Sequence, residues 1–295
     1  MVPIIGIVVV LGAIAAGYMM EHGKFIVLFQ PAELVIIFGA ALGTVAIANP
    51  LPTLIRIGKG IAGVFSGNGY TKALYLESLK MVYDLFAYAR KSGTAKLEED
   101  VDHPEKSPVF TKYPKFLKSH HALHFLCDTL RTVVTGGVDP LEIDAMMEAD
   151  LESHHREGFE PIAALNTMAD ALPGLGIVAA VLGVVLTMGA LGGPKEEIGN
   201  KVAAALVGTF LGILLCYGIF GPLAGAMSKN HDAEGQYFAF LRMAALAFTK
   251  ELSPIMAAEM ARRSIPPGVR PSFQEMEASC RASGKAASEA APQAA

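Results

Sequence analysis

The chain has 295 residues, of which 52% are hydrophobic and 18% charged, with a formal net charge of -4. This balance excludes a nucleic-acid partner held by charge. Mean hydropathy is +0.41, and with so many charges retained it describes a membrane protein that keeps a large wet part. Cys127, Cys216 and Cys280 lie far apart, without C-x-x-C spacing. Neither a disulfide framework nor a zinc site is indicated, and the soluble part fits a reducing cytosol.

The first apolar run extends from Val2 to Met20. Ala13-Ile14-Ala15 looks like a signal-peptide cleavage site, but no Lys or Arg precedes the run and it is longer than a signal core. It reads as the first spanning helix. A turn at 21–31 leads to a second run, Ala32 to Ala48, which carries a Gly39/Gly43 pair for close packing and ends at Asn49-Pro50-Leu51-Pro52. Residues 1–49 thus form a first membrane hairpin.

The insert that follows, residues 50–169, reads as helical throughout. Tyr75, Leu79, Val82, Phe86 and Ala89 keep helical spacing, and Gly93 stands at a C-cap position. A charged stretch through Glu98, Glu99 and Asp100 comes next, then a proline-bounded loop to Pro114. Phe116, Leu123, Cys127, Leu130 and Val134 mark a further amphipathic helix closed by Gly136-Gly137. Asp139-Pro140 restarts the chain, a capping residue followed by proline at the first helical position. The helix begun there is expected to run, kinked near Gly158 to Pro161, into the third span.

A second hairpin occupies 170–227. Its apolar runs, Gly174 to Leu191 and Val202 to Ala226, are each near the ~20 residues that cross a hydrocarbon core at ~1.5 Å per residue. Small residues recur at four-residue spacing: Ala179/Gly183, Gly208/Gly212 and Gly221/Gly225. Such spacing lets backbones approach where lipid offers no other drive for helices to associate. Pro173, Thr187, Thr209, Tyr217 and Pro222 are polar groups and breaks that an anchor does not need, so the hairpin reads as lining a path. The fourth span is expected to continue as a helical extension (228–278), and an Ala- and Ser-rich stretch from Ser279 (279–295) reads as a disordered tail.

The turns at 21–31 and 192–201 hold Lys24, Lys195 and Lys201, and the rest of the 24 Lys and Arg lie in the insert and tail. This bias places both termini and the insert in the cytoplasm. The fold class is an all-α integral membrane protein with four transmembrane helices. A large helical cytoplasmic insert separates helices 2 and 3, and helices 3 and 4 have long cytoplasmic extensions. No nucleophile motif, P-loop or dinucleotide fingerprint supports an enzyme. His120 and His124 have the spacing of two metal ligands, but no second cluster completes a site, and they read as a solvated face. No span carries an acid or base near its middle; Glu33 and Asp170 sit at ends. A path for ions needs such a group, so a second chain is expected to supply the carboxylate.

Five stretches together resemble the flagellar motor stator subunits of the MotA family: QPAELVIIFGAALG from Gln30, YTKALYLESL from Tyr70, DALPGLGIVAAVLGVV from Asp170, LVGTFLGILLCYGIFGPLA from Leu206 and VRPSFQEME from Val269. The resemblance covers nearly the whole chain. It implies a multi-pass protein of the bacterial inner membrane, forming a ring (a pentamer in this family) around a dimer of MotB. That partner is a single-span, peptidoglycan-anchored protein whose aspartate binds the ion. Pro173 and Pro222 would lie beside that aspartate, with Asp170, Ala180, Thr209 and Tyr217 along the same path. Arg90 and Glu98 match the charged pair that meets the rotor switch protein FliG, and Asp150 sits where a secondary acidic residue is expected. No cofactor is implied beyond the coupling ion. Sodium-driven relatives carry a threonine within G-x-x-G-T-x-x-G; here that stretch, Gly176 to Gly183, has Ala180 instead. A methyl group offers sodium no oxygen ligand, so the proton is the expected ion.

Each assignment has a plainer reading. Pro173 starts a span, Pro222 is a tolerated kink, and Thr209 is placed to bond a carbonyl one turn back. Arg90 sits near a helix C-terminus, where the macrodipole favours a cation. Two rival functions stand beside the stator: an ExbB/TolQ-like energiser of outer-membrane processes, and a solute transporter with a polar site built from Thr187, Thr209 and Tyr217.

Overall fold

Long apolar runs leave the backbone no water to bond, so they close their own hydrogen bonds as helices. The computed structural model describes every residue except Met1, Asn68, Ala190, Leu191, Gly193 and 290–295. Among the described residues all regular structure is helical. In chain order the helices are α1 (Val2–Met20), α2 (Phe25–Leu28), α3 (Pro31–Ala48), α4 (Leu51–Ser66), α5 (Lys72–Ser92), α6 (Thr94–Asp102) and α7 (Pro114–Lys118). They continue with α8 (His120–Thr135), α9 (Pro140–Met188), α10 (Lys195–Ile213), α11 (Gly221–Thr249), α12 (Pro254–Ser264) and α13 (Phe273–Glu289). Four stretches are long and apolar enough to cross a membrane: Val2–Met20, Phe25–Ala48, Pro140–Met188 and Ile198–Thr249. The third span was expected to end at Leu191, which lies outside the described residues.

The chain divides into two compact units, Met1–Gly67 with Arg156–His231, and Asn68–His155 with Asp232–Ala295. These boundaries differ from the division at 50, 170 and 228 expected from hydropathy. α4 belongs with the spans because its apolar face, Leu54, Ile57, Ile61, Val64 and Phe65, packs into their core. The stretch 232–289 joins the insert for the corresponding reason: its aromatic, alanine and Met276/Cys280 faces complete the insert's core.

In the first unit, α3 buries Ile37, Ala41 and Val45 at four-residue spacing, against Ile162, Leu165 and Leu172 of α9 and Leu223 and Ala224 of α11. α1 buries no residue; apolar on every side, it suits a lipid surround. Asn49 Nδ2 donates to the Val45 carbonyl at 2.9 Å, closing α3 where the two prolines end it. Arg56 of α4 pairs with Glu157 of α9.

The second unit is built on α5, whose buried face includes Tyr75, Leu79, Val82 and Phe86 as the spacing predicts. Thr71 caps its N-terminus through the Leu74 N–H. Gly93 ends it at φ 84°, a left-handed conformation that favours glycine. The amphipathic stretch expected from Phe116 to Val134 is two helices, α7 and α8, parted at Ser119. Asp139 caps α9 as expected, its Oδ1 accepting the Leu141 N–H at 2.8 Å. Arg242 of α11 donates to Asp144 (2.6 Å) and Glu148 (3.4 Å) of α9.

The disordered tail expected from Ser279 is corrected up to Glu289. α13 opens on a reciprocal capping box: the Ser272 N–H donates to Glu275 Oε2 at 2.7 Å, and the Glu275 N–H donates to Ser272 Oγ at 3.2 Å. Met276 and Cys280, one turn apart, are then wholly buried. Composition hid this helix because alanine and serine anchor no visible pattern, while two side chains suffice to dock it. Residues 290–295 of that tail lie outside the described residues.

Candidate functional site

In the first unit α9 and α10 approach backbone to backbone. A Cβ at Gly212 would stand 2.5 Å from the Leu172 carbonyl oxygen, and one at Gly176 would stand 2.8 Å from the Gly208 carbonyl oxygen. Gly183 meets Ala205 in the same way, at 2.9 Å from its Cβ. The Gly208/Gly212 and Ala179/Gly183 pairs therefore act as the sequence suggests. Gly39, Gly43 and Gly225 do not, since a Cβ there meets nothing within 4 Å in this chain.

Pro173 follows Leu172 inside α9. It has no N–H, so the carbonyl one turn earlier loses its helical donor beside the glycine contact. Thr209, half-buried, has its Cα 3.3 Å from where a Gly176 Cβ would be. Ala180, also half-buried, is one turn beyond Gly176 on α9, next to the buried Ala179. The fold thus gathers Pro173, Ala180 and Thr209 on one helix pair. Asp170 is exposed. Thr187 is 2% exposed, and its hydroxyl donates to the Gly183 carbonyl at 2.8 Å. That bond is made within the helix, which removes Thr187 from a transport site.

Between α10 and α11 the chain winds as a π-helix, Leu214–Phe220. The Gly221 N–H donates to the Cys216 carbonyl, five residues back. Pro222 explains the widening: its ring clashes with the carbonyl four residues earlier and offers it no hydrogen. Inserting an extra residue per turn relieves both faults, and such π turns recur at functional sites. A Cβ at Gly221 would lie 2.9 Å from the Cys216 oxygen, so the turn needs glycine there. Tyr217, on this turn, is 72% exposed.

Glu33 is more than the helix-end charge its position in sequence suggests. Glu33 lies in the first turn of α3, where an acid ordinarily answers the helix dipole. Its side chain is instead buried, 6% exposed, and Oε2 has no hydrogen-bond partner. That oxygen would stand 2.6 Å from a Cβ at Gly208, with Ala179 alongside. Gly208 is about 6 residues, or ~9 Å of helix rise, beyond Val202, where the fourth apolar run begins. The spans are therefore not free of an internal acid.

In the second unit Arg90 and Glu98 are both exposed and do not pair with each other. Arg90 Nη2 donates to the Glu251 carbonyl at 3.0 Å. Glu251 has φ 53°, the left-handed residue that closes the last turn of α11. Arg90 also borders a cavity of about 430 Å³ lined by Phe86, Val134, Val138, Ile143 and Phe248. Glu98 faces outward between Leu97 and Val101, which bury α6 in the core. Asp150 is exposed and edges a separate cavity of about 180 Å³. The three residues are thus not one constellation. His120 and His124 are exposed. It is His121 that packs edge-on to His154, at 5.4 Å between centroids.

Two family models match this chain: motility protein A N-terminal over residues 4–93, and the MotA/TolQ/ExbB proton channel family over residues 118–238. The chain is 37% identical to Motility protein A of Escherichia coli K12 over 96% of both chains. It is 34% identical to Chemotaxis protein LafT of Vibrio parahaemolyticus over 92% of this chain and 96% of that one. Among solved structures it resembles C. jejuni MotAB (TM-score 0.73, 19% identity, 90% of this chain and 95% of the other). It also resembles the flagellar MotAB stator complex of Bacillus subtilis (TM-score 0.69, 22% identity, 87% and 92%). At these identities the two structures bear on the fold.

Proposed function

We propose a function on the premise that the chain belongs to the motility protein A family, as the two matches and the relatives of 34% and 37% identity show. It is a stator subunit of the bacterial flagellar motor, a multi-pass inner-membrane protein with termini and insert in the cytoplasm. With a single-span partner of the MotB kind it turns ion flow into torque on the rotor. The observation that carries this is the α9–α10 pair, packed backbone to backbone and bounded at one end by both Pro173 and the π turn before Pro222. A pair so tight is stiff, and both proline breaks fall at the end where Leu172 meets Gly212, which leaves it a hinge there, as a coupling element needs.

The roles of individual residues follow from that reading. Pro173, Ala180, Thr209, Tyr217, Pro222 and Asp170 lie along the ion path, and the partner's aspartate is the ion's principal stop. Tyr217 and Pro222 are exposed in the single chain, as residues are that meet other chains. The coupling ion is the proton, because Ala180 offers sodium no oxygen. Arg90, Glu98 and Asp150 face the rotor's switch protein, and subunits assemble as a ring of five. α9, at 49 residues, is far longer than a ~30 Å hydrocarbon core requires; the surplus projects into the cytoplasm.

The second family match is shared with outer-membrane energisers, so that function is the rival. The match over residues 4–93 and the four apolar stretches favour the motor. The test is complementation of a strain lacking both stator subunits, by this chain with its partner. Swimming restored by the pair and not by the chain alone supports the stator. Restored outer-membrane uptake without motility would support the energiser instead.

A further inference from the structure

The Glu33 carboxyl is the one buried acid among the described residues of the first unit, and Oε2 finds no hydrogen-bond partner. It lies against the α10 backbone at Gly208. α10 presents Gly208, α9 presents Ala179, and α2, which also packs on α10, is Phe25–Leu28 with no titratable side chain. A buried carboxylate with no hydrogen-bond partner is a charge without compensation. The N-terminal turn of α3, to which Glu33 itself belongs, acts the other way by favouring an anion. A group held between two opposed influences can take up a proton and also release it.

We propose that Glu33 is a second proton-binding site of this stator, belonging to this chain and placed against the α10 backbone one residue from Thr209. The proposal rests on the reading of α9 and α10 as the ion path. In the proposed orientation α3 begins on the outer side, which puts Glu33 upstream of the partner's aspartate. The step is a proton relay. Glu33 carboxylate takes a proton from a hydronium ion that arrives with entering water, forming the O–H bond and leaving a neutral water molecule. That bond then breaks, the proton passes through water to the partner's carboxylate, and Glu33 returns to its first state. Gly208 is part of the device, since a side chain there would displace the carboxyl.

The test uses the full chain with its partner. By infrared difference spectroscopy the wild-type complex should show a carboxylic acid C=O band that moves in D2O and is absent from Glu33→Gln. The Gln complex should assemble to wild-type levels, yet conduct protons and drive swimming at least tenfold less. Wild-type conduction by Glu33→Gln, or a carboxylic C=O difference spectrum that the substitution leaves unchanged, would overturn the relay. Should the Gln chain fail to assemble, Glu33→Asp decides: a band displaced in frequency supports the proposal, and an unmoved band overturns it. A wild-type complex that conducts nothing would overturn the stator reading and the relay with it. If the relay is refuted and the stator reading is not, the wild-type complex still conducts.

Discussion

Gly212 of α10 lies so close to Leu172 of α9 that a Cβ on Gly212 would stand 2.5 Å from the Leu172 carbonyl oxygen. The obstacle is backbone, which cannot rotate aside as a side chain can. Beside it stands Pro173, so the contact point of the two helices is also the point where α9 has lost a hydrogen bond.

Gly212→Ala should therefore separate α9 from α10 and cost about 1–3 kcal/mol through overpacking. Swimming should be lost, and the thermal midpoint of the purified complex should fall. Gly39→Ala, where a Cβ meets nothing in this chain, should leave the folded chain unchanged. A Gly212→Ala complex with an unaltered midpoint would remove the close approach from the account.

The π turn predicts a different pair of outcomes. Pro222→Ala restores a hydrogen for the carbonyl one turn back, and the turn should tighten toward ordinary α-helix. The complex should assemble with slowed rotation, and amide exchange at 218–221 should slow. Gly221→Ala meets the Cys216 oxygen at 2.9 Å and should impair assembly itself. Equal exchange in Pro222→Ala and wild type would show that another constraint sets the π winding.

Arg90 offers a test that separates structure from contact. Its bond to the Glu251 carbonyl is exposed, where charge contacts are worth about 0–1 kcal/mol and steer encounter more than they hold. Arg90→Glu should assemble normally and abolish or badly weaken swimming, with partial rescue by charge reversal on the rotor. Arg90→Lys should keep most motility. Normal swimming by Arg90→Glu would move the rotor contact elsewhere in the insert.

The capping box of α13 carries a pH signature. The Lys72 ammonium, with the two bonds to Ser272, lowers the Glu275 carboxyl from 4.5 to about 2. A lowered folded value contributes stability that is present above about 4.5 and is lost as pH falls toward about 2. Amide protection of α13 should decline across that window and not between pH 6 and 8. At neutral pH, Ser272→Ala should cost about 1 kcal/mol. Read as thiol labelling of Cys280 in a chain without other cysteines, that is about fivefold faster. Labelling at the wild-type rate would show α13 docked without its cap.

Swimming should persist without sodium and stop with a protonophore if Ala180 excludes sodium ligation. Motility that scales with external sodium at constant proton-motive force would overturn that reading.

Much of the molecule was determined by local rules that its sequence alone expresses. Apolar length set the spans, the Asp139 cap and the glycines at 93 and 136 set the helix ends of the insert, and the five quoted stretches set the family. The positions of Pro173 and Pro222 were equally plain. Tertiary structure decided what depends on which faces meet. It showed that Gly39 and Gly43 have no neighbour in this chain while Gly176 and Gly212 do, because four-residue spacing marks a face without naming what lies opposite. It converted an apparent tail into α13, because two buried side chains outweigh a composition that looks disordered. It moved α4 from the insert to the spans. It also turned Glu33 from a helix-end charge into a buried acid, because the start of α3 in sequence is level with the interior of α10 in space.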